Sequence, residues 1–495
     1  MTAIYSVAEI RQVEHAAAAS LPVGTLMQRA GQAAASAAVA MLRGQAVLVL
    51  AGPGNNGGDA LEAAANLAHA GFDVSVVHLP ATGTVAPETA LALDRAQHSD
   101  ARFLDRLPSD AHWNLIIDGL FGIGLARPLS GATRELVMAV NALGAPVLAL
   151  DVPSGLDADT GAIIGPDGVA IRASSTLTFI GDKPGLHTFQ GRDVAGDVLV
   201  ANLGIASELF PTAQCKLNSM SLFAAQRVPR KHDTHKGSFG DVAVVGGAAG
   251  MAGAAVLAAR GALFSGAGRV FVAALAPGVT YDSAQPELMF RDAATFDGAR
   301  ATLVLGPGMG DAAQAQQLVE QALTGQSPLV IDADALNLIS ASPHLQARLR
   351  QRNGTAILTP HPLEAARLLG VTSAVVQADR LAAARELAAR LNCVVVLKGS
   401  GTVIAEASGM AVINPTGNPG LATGGTGDVL AGVCGALLAQ GWPAQEAASG
   451  AVWLHGAAAD SLVEQGTGPI GLTASELPAA IRSLLNLTPG DQPRS

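Results

Sequence analysis

The sequence is poor in charged and aromatic residues. Of its 495 residues, 14% are Asp, Glu, Lys or Arg and 3% are aromatic, whereas 49% are hydrophobic and 57 are glycine. Such a chain has enough apolar material for large cores but few bulky rings to fill them. We therefore expect helices that pack closely on sheets through small side chains.

Basic residues are also scarce. The chain has 30 Lys and Arg against 40 Asp and Glu, a formal net charge of −10. This balance argues against nucleic acid or an anionic membrane as a main partner, because both bind basic surfaces. No apolar run of about 18 residues is free of charges and glycine breaks, so we expect no membrane span. Lysine occurs at only five positions: Lys183, Lys216, Lys231, Lys236 and Lys398.

Only three cysteines are present, and they are far apart: Cys215, Cys393 and Cys434. No pair has metal-binding or redox spacing, and an odd number fits a reducing compartment. The N-terminus has charged residues, among them Glu9 and Glu14, where a signal peptide needs an apolar run. We therefore expect a cytoplasmic protein.

Short apolar runs alternate with glycine turns and alanine-rich stretches. This pattern predicts an α/β fold with parallel sheets buried on both faces. The length and a change of texture between residues 203 and 229 predict two domains, residues 1–217 and 222–490. The expected strands are 47–51, 74–78, 115–118, 147–151, 242–245, 270–274, 303–305, 329–332, 356–359 and 394–398.

The first glycine-rich motif, GPGNNGGD at residues 52–59, follows an apolar run and precedes a helical stretch. Glycines let a backbone approach a ligand closely, and free N–H groups at a helix start can bind phosphate. The spacing is neither GxGxxG nor that of a P-loop, so a structural turn is an equal alternative for this motif alone.

Two further strand ends carry carboxylates and glycines, in DGLFGIG from Asp118 and in DVPSGLD from Asp151. Ligands of open parallel sheets bind beyond the carboxyl ends of the strands. Oxygen atoms of Asn56, Asp118 and Ser154 would suit a hard cation, although each Asp alone fits a turn or helix cap equally well.

Together these three motifs resemble the YjeF-type N-terminal domain, the NAD(P)HX epimerase family, over roughly residues 1–215. The resemblance implies a Rossmann-like sandwich with a potassium ion at Asn56, Asp118 and Ser154. It places Lys183 near the site, where the alternative is a lysine in a surface turn. It implies substrate contacts at Asn55, Asn56, Gly57, Gly58, Asp59, Gly122, Ile123, Gly124, Leu125, Ala126, Arg127, Pro128 and Asp151.

The substrate of that family carries a hydroxyl at C6 of the reduced nicotinamide ring, beside the ring nitrogen. Inversion at C6 can proceed by loss of hydroxide to an iminium and return of water on the other face. A carboxyl group near the hydroxyl can act as acid and then as base. We assign this role to Asp151 as a hypothesis.

The second half contains GGTGD at residues 424–428, directly before a stretch with helical apolar spacing. Helix-start N–H groups can bind a phosphate, and an aspartate there can act as a base toward an attacking hydroxyl. A helix-capping aspartate is an equal alternative for the motif alone. Other strand ends add candidates, among them Lys398 in LKGSGT and His361 in TPHPLE, although a lone histidine more often caps or packs.

This half resembles the ribokinase-like YjeF C-terminal domain, the NAD(P)HX dehydratase family, over roughly residues 225–490. The resemblance implies a three-layer sandwich that binds an adenine nucleotide with Mg²⁺. It implies nucleotide contacts at Lys398, Gly399, Ser400, Gly401, Thr402 and Gly427. It implies substrate contacts at Ala254, Gly308, His361 and Asp428, with Asp428 as the catalytic base.

The joined resemblances predict repair of hydrated NADH and NADPH, with ADP as the expected phosphoryl donor and a homo-oligomer as the expected assembly. The motifs alone do not distinguish ADP from ATP. Three alternatives stand: a small-alcohol kinase, an N-terminal half that is only a binding module, and a nicotinamide-dependent dehydrogenase. The dehydrogenase is the weakest, because GxGxxG with a downstream acid is missing after the first strand.

Overall fold

A computed structural model describes residues 2–81, 83–108, 111–278 and 280–487. These residues form two compact units, which divide between Cys215 and Lys216. No helix within the described ranges has the length and apolar character needed to cross a membrane.

The N-terminal unit is an α/β sandwich. Its strands are β1 (Ala3–Ile4), β2 (Ala46–Ala51), β3 (Asp73–His78), β4 (Arg102–Leu104), β5 (Leu115–Gly119), β6 (Val147–Leu150), β7 (Ser175–Phe179) and β8 (Asp197–Ala201). Its helices are α1 (Val7–Ala18), α2 (Thr25–Met41), α3 (Asn55–His69), α4 (Pro87–Gln97), α5 (Gly131–Ala142) and α6 (Gly191–Val194). Seven strands form one sheet in the order β4-β3-β2-β5-β6-β7-β8. Every pair in it is parallel.

The C-terminal unit has a larger sheet. Its strands are β9 (Cys215–Leu217, at the division), β10 (Asp241–Gly246), β11 (Arg269–Ala274), β12 (Met289–Asp292), β13 (Thr302–Leu305), β14 (Leu329–Ile331), β15 (Ala356–Leu358), β16 (Val394–Leu397), β17 (Val403–Ala405) and β18 (Ala411–Ile413). Their order is β9-β18-β17-β16-β15-β14-β13-β10-β11-β12. The pairs from β12 to β16 are parallel, and β16, β17 and β18 pair antiparallel.

In the described part of this unit, ten α-helices accompany the sheet. They are α7 (Ala252–Phe264), α8 (Ala313–Thr324), α9 (Ala333–Ser340), α10 (Pro343–Arg350), α11 (Pro362–Leu369), α12 (Ser373–Ala378), α13 (Arg380–Leu391), α14 (Thr426–Ala439), α15 (Ala444–Glu464) and α16 (Leu477–Leu485). The predicted α/β class with parallel sheets is thereby confirmed in both units.

Small side chains allow the helices to approach one another closely. A Cβ atom on Gly432 of α14 would lie 1.8 Å from the carbonyl oxygen of Ala258 in α7. A Cβ atom on Gly31 of α2 would lie 2.2 Å from Cβ of Glu62 in α3. No side chain fits at such distances, so the abundance of glycine and alanine sets the helix spacing.

Candidate active sites

The three N-terminal motifs meet at the carboxyl edge of the seven-stranded sheet. Strands β2, β5 and β6 are neighbours in register, with Ala51 beside Gly119 and Asp118 beside Ala149. The loops that follow them therefore leave the sheet side by side. This is the edge where parallel sheets bind ligands.

A cavity of about 600 Å³ opens at this edge. That volume is within the range of small-molecule sites. Its walls come from α1, from the start of α2, and from the loops after β2, β5 and β6. Among the lining residues are Ile10, Arg11, Glu14, Asn55, Asn56, Asp59, Glu88, Gly122, Ile123, Gly124, Leu125, Asp151 and Phe179.

Asp151 lies in the cavity wall directly after β6. Its backbone is left-handed, with φ of 67°, which is uncommon for a residue other than glycine. The N–H of Ile123 donates to its Oδ2 at 2.9 Å, and Nζ of Lys183 lies 2.9 Å from its Oδ1. The carboxyl group is therefore fixed by two loops.

Lys183 is fully buried rather than part of a surface turn. Besides the ion pair with Asp151, its ammonium donates to Oγ1 of Thr178 at 2.7 Å and to the carbonyls of Phe179 and Gly181 at 2.9 and 3.1 Å. A buried ammonium needs such a complete set of partners. Lys183 therefore adds a fourth segment, the loop after β7, to the three motifs that form this site.

Asp118 and Ser154 form a second buried group beside the cavity. Oγ of Ser154 donates to Oδ1 of Asp118 at 2.7 Å, and the Ser154 N–H donates to Oδ2 at 2.8 Å. Burial raises the pKa of Asp118 to about 6, although the hydrogen bonds from Ser154 lower it. Within the described ranges, no basic side chain forms an ion pair with Asp118.

Asn56 lies at the same end of the site. Its side chain is buried, yet neither its oxygen nor its nitrogen has a hydrogen-bond partner among the described residues. A Cβ atom on Gly122 would lie 2.6 Å from Oδ2 of Asp151 and 3.4 Å from Cγ of Asn56, so these two side chains flank the same glycine. A buried amide without partners indicates a missing ligand or ion.

Two further carboxyl groups line the cavity, Glu14 and Asp59. Burial and the nearby charge of Asp151 raise the pKa of Glu14. Burial and the charges of Asp151 and Glu14 raise the pKa of Asp59 well above its usual value. The cavity is therefore lined by the carboxyl groups of Glu14, Asp59 and Asp151, of which Asp151 forms the ion pair with Lys183.

The C-terminal site forms where β14, β15 and β16 end and α14 begins. Lys398 follows β16, and its Nζ lies 2.8 Å from Oδ1 of Asp332, which follows β14. A Cβ atom on Gly427 would lie 3.2 Å from the same Nζ. The ammonium group is therefore positioned at the first turn of α14, where N–H groups favour anions.

Asp428 lies in this first turn. Burial and the charge of Asp332 raise the pKa of Asp428 to about 7, although Lys398 lowers it. Burial likewise raises the pKa of Glu364, which follows β15, to about 7. Lys398 remains a cation, since the charges of Asp332 and Glu364 raise its pKa in spite of burial. Three carboxyl groups thus surround one ammonium.

His361 caps α11. Its Nδ1 accepts from the N–H groups of Leu363 and Glu364, and its Nε2 lies 3.2 Å from Oε1 of Glu364. Burial and the charge of Lys398 lower its pKa. His361 is therefore a helix cap, which was the alternative that the sequence left open. Its ring is half-exposed and near enough to Lys398 for the two charges to interact.

Arg380 holds the start of the loop from Lys398 to Thr402 in place through hydrogen bonds. This buried guanidinium donates to the carbonyls of Leu397 and Lys398 at 3.1 and 3.2 Å. Gly399 has φ of 140°, and its missing Cβ leaves room for the guanidinium 2.8 Å away. A residue with a side chain would not fit there.

Comparisons with known proteins agree on both units. The YjeF-related protein N-terminus family matches residues 23–185, and the NAD(P)H-hydrate dehydratase family matches residues 242–482. The bifunctional NAD(P)H-hydrate repair enzyme of Coxiella burnetii is 38% identical, over 98% of this chain and 100% of the relative. That of Escherichia coli K12 is 36% identical, over 97% of this chain and 93% of the relative.

The chain belongs to the family of bifunctional NAD(P)H-hydrate repair enzymes.

Among solved structures, an ADP/ATP-dependent NAD(P)H-hydrate dehydratase from Bacillus subtilis, co-crystallised with ATP and Mg²⁺, is similar to the second unit. It is 32% identical, with a TM-score of 0.49, over 54% of this chain and 97% of that chain.

Several residues that the sequence predicts for the repair site line the cavity, namely Asn55, Asn56, Asp59, Gly122, Ile123, Gly124, Leu125 and Asp151. Gly57 and Gly58 are buried behind it, where a Cβ on Gly57 would lie 1.9 Å from the carbonyl of Gly52. Ala126, Arg127 and Pro128 are exposed on the loop beyond Leu125. Their contacts with substrate stay predictions.

In the dehydratase unit, Lys398 lies beside Gly427 and Asp428, and His361 is close to Lys398. Ala254 and Gly308 adjoin each other, since a Cβ on Gly308 would lie 3.2 Å from that of Ala254. From the sequence, Asp332 and Glu364 are strand-end residues of the second site without an assigned role, and Glu14 is not predicted as a site residue. Their signal was weak, because only the fold brings them to lysines or to other acids.

Proposed function

We propose that this chain repairs hydrated NADH and NADPH in two steps. The N-terminal unit interconverts the R and S epimers at C6. The C-terminal unit dehydrates the S epimer at the expense of ADP, giving AMP, phosphate and the reduced nicotinamide. The observation that carries this proposal is that each unit gathers several acids around a lysine, Lys183 or Lys398, at the carboxyl edge of its own parallel sheet.

For epimerisation, we assign Asp151 as an acid–base group at C6. Its carboxylate is oriented by the Ile123 N–H and its negative charge is stabilised by Lys183. It is thus held in one position in the cavity, as proton transfer at a fixed atom requires. In the Asp151→Asn variant, the R and S epimers should no longer interconvert; an unchanged rate would refute the assignment.

A potassium ion would fit the group formed by Asn56, Asp118 and Ser154. Two observations support it: the buried Asp118 carboxyl has no basic partner, and the buried Asn56 amide oxygen accepts no hydrogen bond among the described residues. Oxygen ligands of this kind suit a hard cation. A bound cation would supply positive charge to these loops, which carry several acids.

For dehydration, we assign Asp428 as the base. Its carboxylate takes the proton of the C6 hydroxyl, whose oxygen then attacks the terminal phosphorus of ADP. The bond from that phosphorus to the bridging oxygen breaks, and AMP leaves. In the second step the C6–O bond breaks with loss of phosphate, the C5 proton departs, and the C5–C6 double bond returns.

Lys398 and the first turn of α14 would stabilise charge on the transferred phosphoryl group. We further assign Lys398, Gly399, Ser400, Gly401, Thr402 and Gly427 to the nucleotide, and Ala254, Gly308, His361 and Asp428 to the substrate. Mg²⁺ would accompany the nucleotide. No group of three His, Cys, Asp or Glu residues in the described part of the chain is arranged to hold a metal, so the phosphates should supply most of its ligands.

The test of this function uses purified chain with hydrated NADH, Mg²⁺ and ADP, followed by the return of reduced-nicotinamide absorbance. A parallel reaction with ATP determines the donor. A stable phosphorylated product without reduced nicotinamide would instead indicate a small-alcohol kinase. A cytoplasmic location and a homo-oligomer stay part of the proposal; three buried free cysteines fit the former.

A further inference from the structure

Inversion at C6 requires a proton-transfer group on each face of the nicotinamide ring. Hydroxide must leave from one face and water must add to the opposite face. A proton donor is needed on the first side and a proton acceptor on the second. Asp151 is held by Ile123 and Lys183 in one wall of the cavity, so it can serve only one of the two faces.

A second carboxyl enters the same cavity from another element. Helix α1 contributes Ile10, Arg11, Glu14 and Ala18 to the wall. Their spacing places them on one face of the helix, so the helix turns this face toward the cavity. Asp151 comes instead from the carboxyl edge of the sheet, after β6. The two carboxyl groups therefore approach a ligand from different walls.

The Glu14 carboxyl is available to a ligand. Among the described residues it forms no hydrogen bond and no ion pair, and its residue is only partly exposed. The buried Asn56 amide, which lines the same cavity from the start of α3, also has no hydrogen-bond partner among the described residues, which supports a ligand in this cavity. Lys183, the one lysine at the site, is paired with Asp151 rather than with Glu14.

The two groups also differ in electrostatics. Burial and the charge of Asp151 raise the pKa of Glu14, while Lys183 and Arg11 lower it to a smaller extent. In the described part of the chain, Glu14 has no cation paired with it, whereas Oδ1 of Asp151 lies 2.9 Å from Nζ of Lys183. Two carboxyl groups in one cavity with such different surroundings are suited to divide the roles of acid and base.

We propose that Glu14 is the second acid–base residue of the epimerisation, acting on the face of C6 opposite Asp151. This inference rests on the proposed epimerase function. In one direction, Glu14 gives its proton to the C6 hydroxyl and the C6–O bond breaks. The electron pair of the broken C6–O bond stays with the oxygen, which leaves as water. The N1 lone pair then forms the C6=N1 double bond of the iminium.

Asp151 then takes a proton from a second water on the other face. The oxygen of that water forms the new C6–O bond, and the electron pair of the C6=N1 bond returns to N1. One water leaves and one enters, and one proton has moved from Glu14 to Asp151. The reverse reaction uses the same groups in exchanged roles.

The experiment uses the full chain and separated R and S epimers of hydrated NADH. Epimer ratios are measured by chromatography in H₂¹⁸O, which also reports oxygen exchange at C6. For Glu14→Gln we expect kcat for interconversion to fall about 100-fold or more and ¹⁸O incorporation to fall equally, with KM within about threefold. Glu14→Asp should retain an intermediate rate.

Three controls separate chemistry from folding. Glu135→Gln, an exposed acid of α5, should match the wild type. Dehydration of the S epimer by the second unit should stay unchanged in Glu14→Gln. Asp59→Asn tests the other cavity acid of raised pKa, which lies on α3.

Glu14 is also faced by Arg11, Asp59, Glu88, Asp151 and Lys183, so pH profiles are compared between variants rather than assigned from one curve. In the wild type, the interconversion rate should fall at high pH as the Glu14 carboxyl loses its proton. This fall should be absent from the pH profile of Glu14→Gln.

The inference is overturned if Glu14→Gln interconverts the epimers at more than half the wild-type rate, or if only KM changes. It is also overturned if Asp59→Asn alone abolishes exchange. A wild-type chain that leaves the epimers unchanged overturns the proposed epimerase function and this inference together. Active wild type beside an equally active Glu14→Gln overturns the inference alone.

Discussion

At the scale of single residues, the two sites are each organised around a lysine, although the chain has only five. Lys183 is fully buried and Lys398 is mostly buried. Lys183 pairs with Asp151, and Lys398 pairs with Asp332. Each ammonium is surrounded by more carboxyl groups than it can neutralise. The unbalanced acids are the groups whose pKa values rise, and these are the ones suited to exchange protons near neutral pH.

Replacing Lys183 by Met should impair both stability and epimerisation. The change leaves Asp151 in the cavity wall without its cation, and removing one partner of a buried pair costs about 3–5 kcal/mol. Urea denaturation should show the loss in the transition of the N-terminal unit. Lys231→Met, at an exposed position, should change neither property. An unfolding free energy within about 0.5 kcal/mol of the wild type would contradict the prediction.

The dehydratase rate should rise with pH through about 7. Asp428 must be ionised to accept the hydroxyl proton, and its pKa is raised to about 7, so below that value the active form falls tenfold per pH unit. The profile of kcat/KM for the S epimer measures this limb in the free enzyme.

Glu364 titrates in the same range, so the matched variant is Glu364→Gln. In Glu364→Gln, kcat/KM should still rise with pH through about 7, whereas Asp428→Asn should have no measurable activity at any pH. A flat profile between pH 5.5 and 7 in the wild type would contradict the role of Asp428.

At the scale of elements, the dehydratase site depends on the close contact between α7 and α14. Gly432 of α14 approaches the Ala258 carbonyl of α7, and Gly261 of α7 approaches the Val429 carbonyl of α14. The contact determines where α14 begins, and therefore where Asp428 and the N–H groups of its first turn lie.

Gly432→Ala should separate these helices. Its Cβ would lie 1.8 Å from a backbone oxygen that cannot turn away, so we expect a loss of about 1–3 kcal/mol or more from overpacking. Urea denaturation of the C-terminal unit measures it. Gly253→Ala, on α7 with nothing within 4 Å of the added carbon, should cause no loss. Equal stability of the two variants would show that α14 is not held by this contact.

The sequence predicts the continuously apolar strands closely and misses strands that are short or contain polar residues. Apolar runs such as 242–245 correspond to β10 (Asp241–Gly246), because strands buried on both faces leave a continuous signal. Strand β7 (Ser175–Phe179) was not predicted, since serine and threonine interrupt its pattern although all five residues are buried. The antiparallel β17 and β18 are three residues each, too short for a periodic signal.

The residues of the two sites likewise differ in how well the sequence predicts them. Motif residues such as Asp151 and Asp428 are recognisable because glycines beside a strand end mark them. Glu14 lies on an ordinary amphipathic helix and carries no local signal, and Glu364 is marked only by its place where a strand becomes a helix. Only tertiary packing brings them beside Asp151 and Lys398, and a single sequence does not contain those distances.

At the scale of the whole molecule, one chain holds both steps. The dehydratase has its base and phosphoryl donor at fixed positions, so it should accept one C6 epimer only. The epimerase would convert the other epimer into that form. Fusion keeps the two activities in equal number, so neither epimer should accumulate.

The most direct test follows reduced-nicotinamide absorbance from a mixture of R and S hydrated NADH with the full chain, ADP, Mg²⁺ and K⁺. The account predicts full recovery with the wild type. Asp151→Asn should recover the S fraction quickly and then slow to the uncatalysed rate of epimerisation, and Asp428→Asn should recover none. Full and equally fast recovery by either variant, or a phosphorylated product without reduced nicotinamide, would contradict it.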